Sequence, residues 1–307
     1  MTAGHPRALV VGEALTDVIV DVDGTREFPG GSPLNLSFGL ARLGMDVSFL
    51  TRLGDDERGR AIERHLSSAG VVVTRSASAG SRTSVATAVL DESGSASYEF
   101  DIEWALPSVL PPLGEVDVLH IGSIGALLDP GARDVAALVT RLRPTATISY
   151  DPNIRPQLLG RREDVLARVE ALVALSDVVK ASDEDLAWLY PAVSPLTAAE
   201  RWLALGPALV VVTRGSRGSL ARTRDNGLES PSLPVTVVDT IGAGDSFMAG
   251  LLSGLGDAGL LGAPRRQALR AIDETTLAAV IDRATACAAI TVSRAGAQPP
   301  WRAELAD

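Results

Sequence analysis

The chain has 307 residues, 46% of them hydrophobic and 21% charged, with a formal net charge of −10. That length and composition suit one large α/β domain or two smaller ones, and the acidic balance argues against nucleic acid or an anionic membrane as the main partner. Cys287 is the only cysteine, so an intrachain disulfide is excluded and a reducing compartment is expected.

Residues 8–12 (ALVVG) read as a buried strand. The stretch FPGGSPLN at 28–35 leads into an amphipathic helix that runs to Leu43. Ser32 suits its N-cap, Pro33 its first position and Gly44 its end. Val47 to Leu53 is the next strand, and Arg58 to Ser68 is a helix ended by Gly70. Thr83 to Leu90 and Ser95 to Phe100 flank a turn at 91–94 and read as a hairpin. This antiparallel piece interrupts a βα pattern and is expected to belong to a small lid sheet. The alternation then resumes, with strands at 116–121, 146–151, 177–180 and 208–213 and helices near 131–142, 162–175 and 197–205. The β-branched run 234–238 (PVTVV) reads as a further strand. Phe247, Met248, Leu251, Leu252 and Leu255 recur at helical spacing just beyond it.

Strands alternating with helices predict a mostly parallel sheet covered by helices. In such sheets ligands bind beyond the carboxyl ends of the strands. Five motifs fall on that edge: GG at 30–31, DPNIRP at 151–156, KASDED at 180–185, TRGSRG at 213–218 and DTIGAGD at 239–245. Their convergence marks a site. In the last motif the amides of Gly242, Ala243 and Gly244 would point forward from a helix N-terminus, which favours an anion, with Asp245 in the first turn. An anion cradle beside a carboxylate is what phosphoryl transfer to a hydroxyl needs; the plain alternative is that Asp245 is a helix cap.

Other chemistries are pruned. Lys180 is the only lysine and Val179 precedes it, so no GxxxxGK[ST] loop exists, and glycine amides and arginine must do most of any phosphate binding. His5, His65 and His120 are scattered and make no metal-ligand spacing. The first strand ends Gly12-Glu-Ala-Leu rather than in a GxGxxG turn, which removes a dinucleotide-dependent oxidoreductase. No basic-then-apolar leader and no run of about 18 apolar residues is present, so a soluble cytoplasmic protein is expected.

The motifs GGSPLN with its helix LSFGLARLG, DTIGAGDSFMAG, and the ending AAITVSRAGAQPP resemble the ribokinase, or PfkB, family of carbohydrate kinases over nearly the full length. DPNIRP is similar to its fructokinase and 2-keto-3-deoxygluconate kinase branch, and the style is that of bacterial fructokinases. The resemblance implies a single ribokinase-like domain over residues 1–307, a three-layer α/β/α sandwich with a mostly parallel central sheet and a β-sheet lid from about 13–30 and 82–104. It also implies ATP as phosphoryl donor with Mg²⁺, and a homodimer through the lid.

Carried over residue by residue, Asp245 matches the general base, and the amides of Gly242, Ala243 and Gly244 match the anion hole. Gly30, Gly31, Asn35 and Asp17 match positions against the sugar, and Arg155 offers a planar fork for phosphate or a sugar oxygen. Lys180, Ser182 and Asp185 occupy the phosphate and magnesium motif. That motif is usually Asn-x-x-Glu, so Ser-x-x-Asp departs on both letters. Thr213, Arg214, Gly215 and Gly218 match the loop that holds ATP phosphates. A monovalent cation, K⁺, is expected at the Asp239 carboxylate and the carbonyls of Ile241, Thr291, Arg294 and Gly296.

Fructose is the expected substrate. Tyr98 is followed by Glu99, Asp101 and Glu103, an acidic run that would repel a sugar acid. A 2-keto-3-deoxygluconate kinase, a ribokinase and a nucleoside kinase are the alternatives within the family. A catalytically silent sugar-binding regulator is the alternative from another class, against which an intact Asp245 argues.

Overall fold

A computed structural model describes residues 5–22, 24–76, 81–90, 96–107 and 112–305. Its strands are β1 (Arg7–Val11), β2 (Leu15–Asp21), β3 (Gly24–Gly30), β4 (Asp46–Arg52), β5 (Val72–Ser76), β6 (Ser84–Leu90), β7 (Ala96–Asp101), β8 (Val118–Gly122), β9 (Thr147–Asp151), β10 (Val178–Ser182), β11 (Leu209–Thr213), β12 (Ser219–Arg222) and β13 (Gly227–Ser230). Its α-helices are α1 (Ser32–Arg42), α2 (Glu57–Ser67), α3 (Ser123–Leu127), α4 (Gly131–Leu142), α5 (Arg162–Leu175), α6 (Asp183–Leu189), α7 (Pro195–Leu205), α8 (Ala243–Asp257), α9 (Arg266–Arg270) and α10 (Glu274–Val292).

The continuous apolar runs became the inner strands of a nine-stranded sheet ordered β13-β12-β11-β10-β9-β8-β1-β4-β5. From β11 to β5 neighbouring strands pair in parallel, and β12 and β13 close one edge antiparallel. Strand side chains alternate, so β1 divides its residues between two cores. Ala8 and Val10 join the cluster with Leu34, Phe38, Leu251, Leu255 and Ile281, from α1, α8 and α10. Leu9 and Val11 join the cluster with Val135, Val169 and Trp202, from α4, α5 and α7. The result is the expected three-layer α/β/α arrangement. Helix α10 has the length and composition of a membrane span, but it packs along α8 and buries Leu277, Val280, Ile281 and Ala284 in the core.

A separate four-stranded sheet, ordered β3-β2-β6-β7, stands over the first. The expected hairpin of β6 and β7 is present, and its turn at 91–94 lies outside the described residues. Strands β2 and β3 form a second hairpin, and β2 joins β6 in parallel to make one sheet of the two.

Two local expectations fail. The run 234–238 is not a strand: it follows β13 without pairing to the sheet, and Val237 and Val238 are each 60% exposed. Its β-branched composition suits a strand, but pairing is a tertiary matter. Ser32 is not the N-cap of α1. Gly31, at φ 108°, takes that place, and Ser32 and Pro33 start the helix itself.

Candidate active site

A cleft of about 1170 Å³ opens between the carboxyl ends of the parallel strands and the small sheet. All five sequence motifs reach its wall, through Gly31, Arg155, Lys180, Gly218 and Asp245 among others. The cleft thus lies on the sheet edge where the topological rule expects a ligand.

Asp245 sits in the first turn of α8, buried, but it does not cap the helix. Gly242 is the N-cap, in a left-handed conformation at φ 75°, with no side-chain cap bond. The Asp245 carboxylate turns to α1 instead: Oδ1 accepts from Ser32 Oγ at 2.6 Å and Oδ2 from Asn35 Nδ2 at 2.9 Å. The capping alternative for Asp245 is thereby removed. Ser32, expected as the helix cap, instead lines the cleft and bonds Asp245.

The two glycines of this turn are glycines for different reasons. Gly242 needs its positive φ, and a Cβ there would lie 2.6 Å from Ala297 Cβ. Gly244 has ordinary helical dihedrals, but a Cβ there would come within 3.0 Å of Lys180 Nζ. Lys180 thus brings its ammonium against the start of α8. It is held there by Asp151 at 2.7 Å, and both side chains are almost wholly buried. Burial lowers the Lys180 pKa, but Asp151, with Asp245 and Asp185 behind it, more than offsets this, and the ammonium stays charged. Lys180 also helps burial to push His120 down to about 3, so that imidazole is neutral.

At the other end of the cleft Asp17 comes from β2 and Arg155 from the loop after β9. Burial pushes Asp17 up to about 6, opposed by Arg155 and reinforced by Asp245. Gly30 is bare because a Cβ there would strike Asp17 Oδ2 at 1.9 Å. Gly31 packs its backbone against the Glu13 carbonyl. Arg155 is exposed on the rim and donates to the carbonyl of Ile154 at 3.0 Å. Glu13 also lines this end, though nothing in the sequence reading singled it out. Its only signal was its place just past the first strand, on the edge where ligands bind.

Farther along the cleft the motif 180–185 is built as a helix start. Asp185 Oδ2 accepts from the amide and hydroxyl of Ser182 at 2.9 and 2.7 Å, and Oδ1 accepts from the Ile154 amide at 2.7 Å. Both carboxylate oxygens are engaged, so a magnesium ion could meet Asp185 only through water or in competition with these bonds. Thr213, Gly215 and Gly218 line the cleft. Arg214 does not. It donates to Glu229 at 3.0 Å and to the Ser219 carbonyl at 3.3 Å, so its guanidinium is spent on the β12–β13 hairpin.

Asp239 ties two loops together behind α8, its Oδ1 accepting from the Ile241 amide at 3.0 Å and Oδ2 from the Gly296 amide at 2.9 Å. Thr291 and Arg294 lie at the end of α10 on the second of these loops, and the Val292 carbonyl accepts from both Val238 and Asp239. The five expected cation positions are therefore gathered on adjoining backbone. No group of three or more His, Cys, Asp or Glu suited to a metal occurs among the described residues.

The acidic run is a correction. Phe100 and its cross-strand partner Ala86 line the cleft, so Glu99 and Asp101, one residue away on β7, fall on the other face of the sheet. Glu103 pairs with Arg52. The run does not face the site and cannot set its charge.

The comparisons with known proteins agree with this geometry. A fructokinase of Rhizobium leguminosarum bv. trifolii is 35% identical over 258 residues, 80% of this chain and 79% of that protein. The structure of a fructokinase of Xylella fastidiosa with bound ATP matches with a TM-score of 0.85 at 26% identity, covering 96% of this chain and 95% of that one. A double mutant of the Vibrio cholerae fructokinase, in a form bound to fructose, ADP and potassium ion, matches with a TM-score of 0.81 at 27% identity, covering 97% and 95%. The pfkB family carbohydrate kinase profile matches residues 6–304, and the chain belongs to that family.

Proposed function

We propose that this sugar kinase is a fructokinase that transfers the γ-phosphate of ATP to a hydroxyl of fructose, with Asp245 as general base. The carrying observation is the Asp245 carboxylate, buried at the N-terminus of α8 between Ser32 and Asn35. These two donors orient the carboxylate and would hand it over to an incoming sugar hydroxyl. Gly242, Ala243 and Gly244 line the cleft at this turn, and their amides would stabilise the charge that develops in transfer, the Ala243 amide exchanging its 3.3 Å bond to the Thr240 carbonyl for the phosphate. Asp17, Asn35, Gly30, Gly31 and Arg155 serve the sugar. Lys180, Ser182, Asp185, Thr213, Gly215 and Gly218 serve the nucleotide. Bound Mg²⁺ would neutralise phosphate charge, with Asp185 reaching it through water. The relatives' solved structures with fructose, ATP, ADP and potassium support this reading. A coupled assay of ATP with fructose, ribose, adenosine and 2-keto-3-deoxygluconate tests it; phosphorylation of adenosine alone would overturn it.

The Asp239 clamp fits a K⁺ site on the carbonyls of Ile241, Thr291, Arg294 and Gly296. Activity should rise when Na⁺ is replaced by K⁺, and Asp239→Ala should lose that response. An enzyme equally active in both salts after desalting would remove the cation from the mechanism.

The small sheet is proposed as the lid over 13–30 and 82–104 and as the surface of a homodimer. Phe100 and Ala86 of this sheet border the cleft, and its closure would shield the transfer from solvent. Fructose should therefore slow hydrogen exchange at the amides of Ser84–Leu90 and Ala96–Asp101. Unchanged exchange at saturating fructose would count against a lid.

A further inference from the structure

We propose that Glu13 is a specificity-determining residue of the sugar end of the cleft, a carboxylate that admits neutral sugars and turns sugar acids away. The proposal rests on the sugar-kinase reading above and deepens it. Glu13 lies two residues past the end of β1 and is 3% exposed, yet it lines the cleft. Its Oε2 accepts from the Gly125 amide at 2.7 Å. Its own carbonyl lies 2.9 Å from the place a Cβ of Gly31 would take, so the residue sits beneath the glycine turn assigned to the sugar.

The charges at this end are unbalanced. Glu13, Asp17 and Asp245 supply three carboxylates to the wall, and the other charged group that acts on both Glu13 and Asp17 is the rim guanidinium of Arg155. Lys180 is committed to Asp151. An anionic sugar would bring a further negative charge into this setting, whereas hydroxyls can donate to the carboxylates. Of the three, Asp245 is assigned to the reaction and Asp17 is only half-buried. Glu13 is the deepest of them and the least screened by water, so its charge would act with little attenuation on a ligand beside it. Glutamine keeps an acceptor for the Gly125 amide, while Ser123 also bonds the carboxylate, so a merely structural role would appear as a lower Tm and not as a changed preference.

The test compares wild type, Glu13→Gln and Glu13→Asn at pH 8, above the value of about 7 to which burial pushes the Glu13 carboxyl. Both kcat/KM and calorimetric Kd are measured for fructose and for 2-keto-3-deoxygluconate. In a variant that folds, the preference for fructose over the acid should narrow by at least about tenfold, through better acceptance of the acid. A preference unchanged within about twofold, with only a lower Tm, would make Glu13 a prop for Gly125 and overturn the proposal. A wild type that turns over no sugar would sink the kinase reading separately, while the ratio of Kd values still decides on Glu13.

Discussion

Replacing Asp245 by Asn should lower kcat by about 10²-fold or more, with little change in the affinity for ATP. The substitution keeps the size of the side chain and its hydrogen-bonding contact with Ser32, but it removes the capacity to take a proton. The general base is needed only as the hydroxyl attacks, so the loss should appear in kcat rather than in nucleotide binding. Steady-state kinetics with fructose and ATP, with ADP binding by calorimetry beside them, decide the matter. A variant with near-normal kcat would leave Asp245 as an orienting residue and require another base. Asp17 and Glu13 are further carboxylates lining the proposed sugar end of the cleft, and their roles would then be reopened.

The second large effect concerns stability. Asp151→Ala should lower the free energy of unfolding by about 3–5 kcal/mol, because it leaves the Lys180 ammonium buried without its partner. Urea denaturation followed by circular dichroism reads this. The double variant Asp151→Leu, Lys180→Met should recover most of the loss, since a buried pair is often replaceable by apolar residues of similar volume. It should nevertheless stay catalytically poor. Lys180 borders the cleft beside Gly244, where in the proposed reaction its charge would face the transferring phosphoryl group. A double variant that regained both stability and full activity would show the pair to be structural only. A single Asp151→Ala variant as stable as wild type would mean that Lys180 escapes to water or loses its proton at little cost.

Much of this protein is determined by its sequence alone. The βα alternation follows from apolar runs of strand length separated by helical periodicity, and these are local properties. Glycine-rich turns at the carboxyl ends of the strands marked the site, because chain geometry in a parallel sheet sends all such turns to one edge. Tertiary structure decided what no local pattern encodes. Ser32 reads as a cap, yet its hydroxyl goes to a carboxylate 213 positions away. PVTVV reads as a strand, yet it pairs with no strand of the sheet. Arg214 reads as a phosphate ligand, yet Glu229 of a neighbouring hairpin takes it. The acidic residues of β7 read as the guard of the site, but the pleat turns Glu99 and Asp101 to the far face. Glu13 carries no motif, and only the closing of the Gly31 turn and Gly125 around it makes it a buried charge in the cleft. Local sequence sets which elements form and where their ends lie, whereas the environment of a side chain depends on contacts made by residues far apart in the chain.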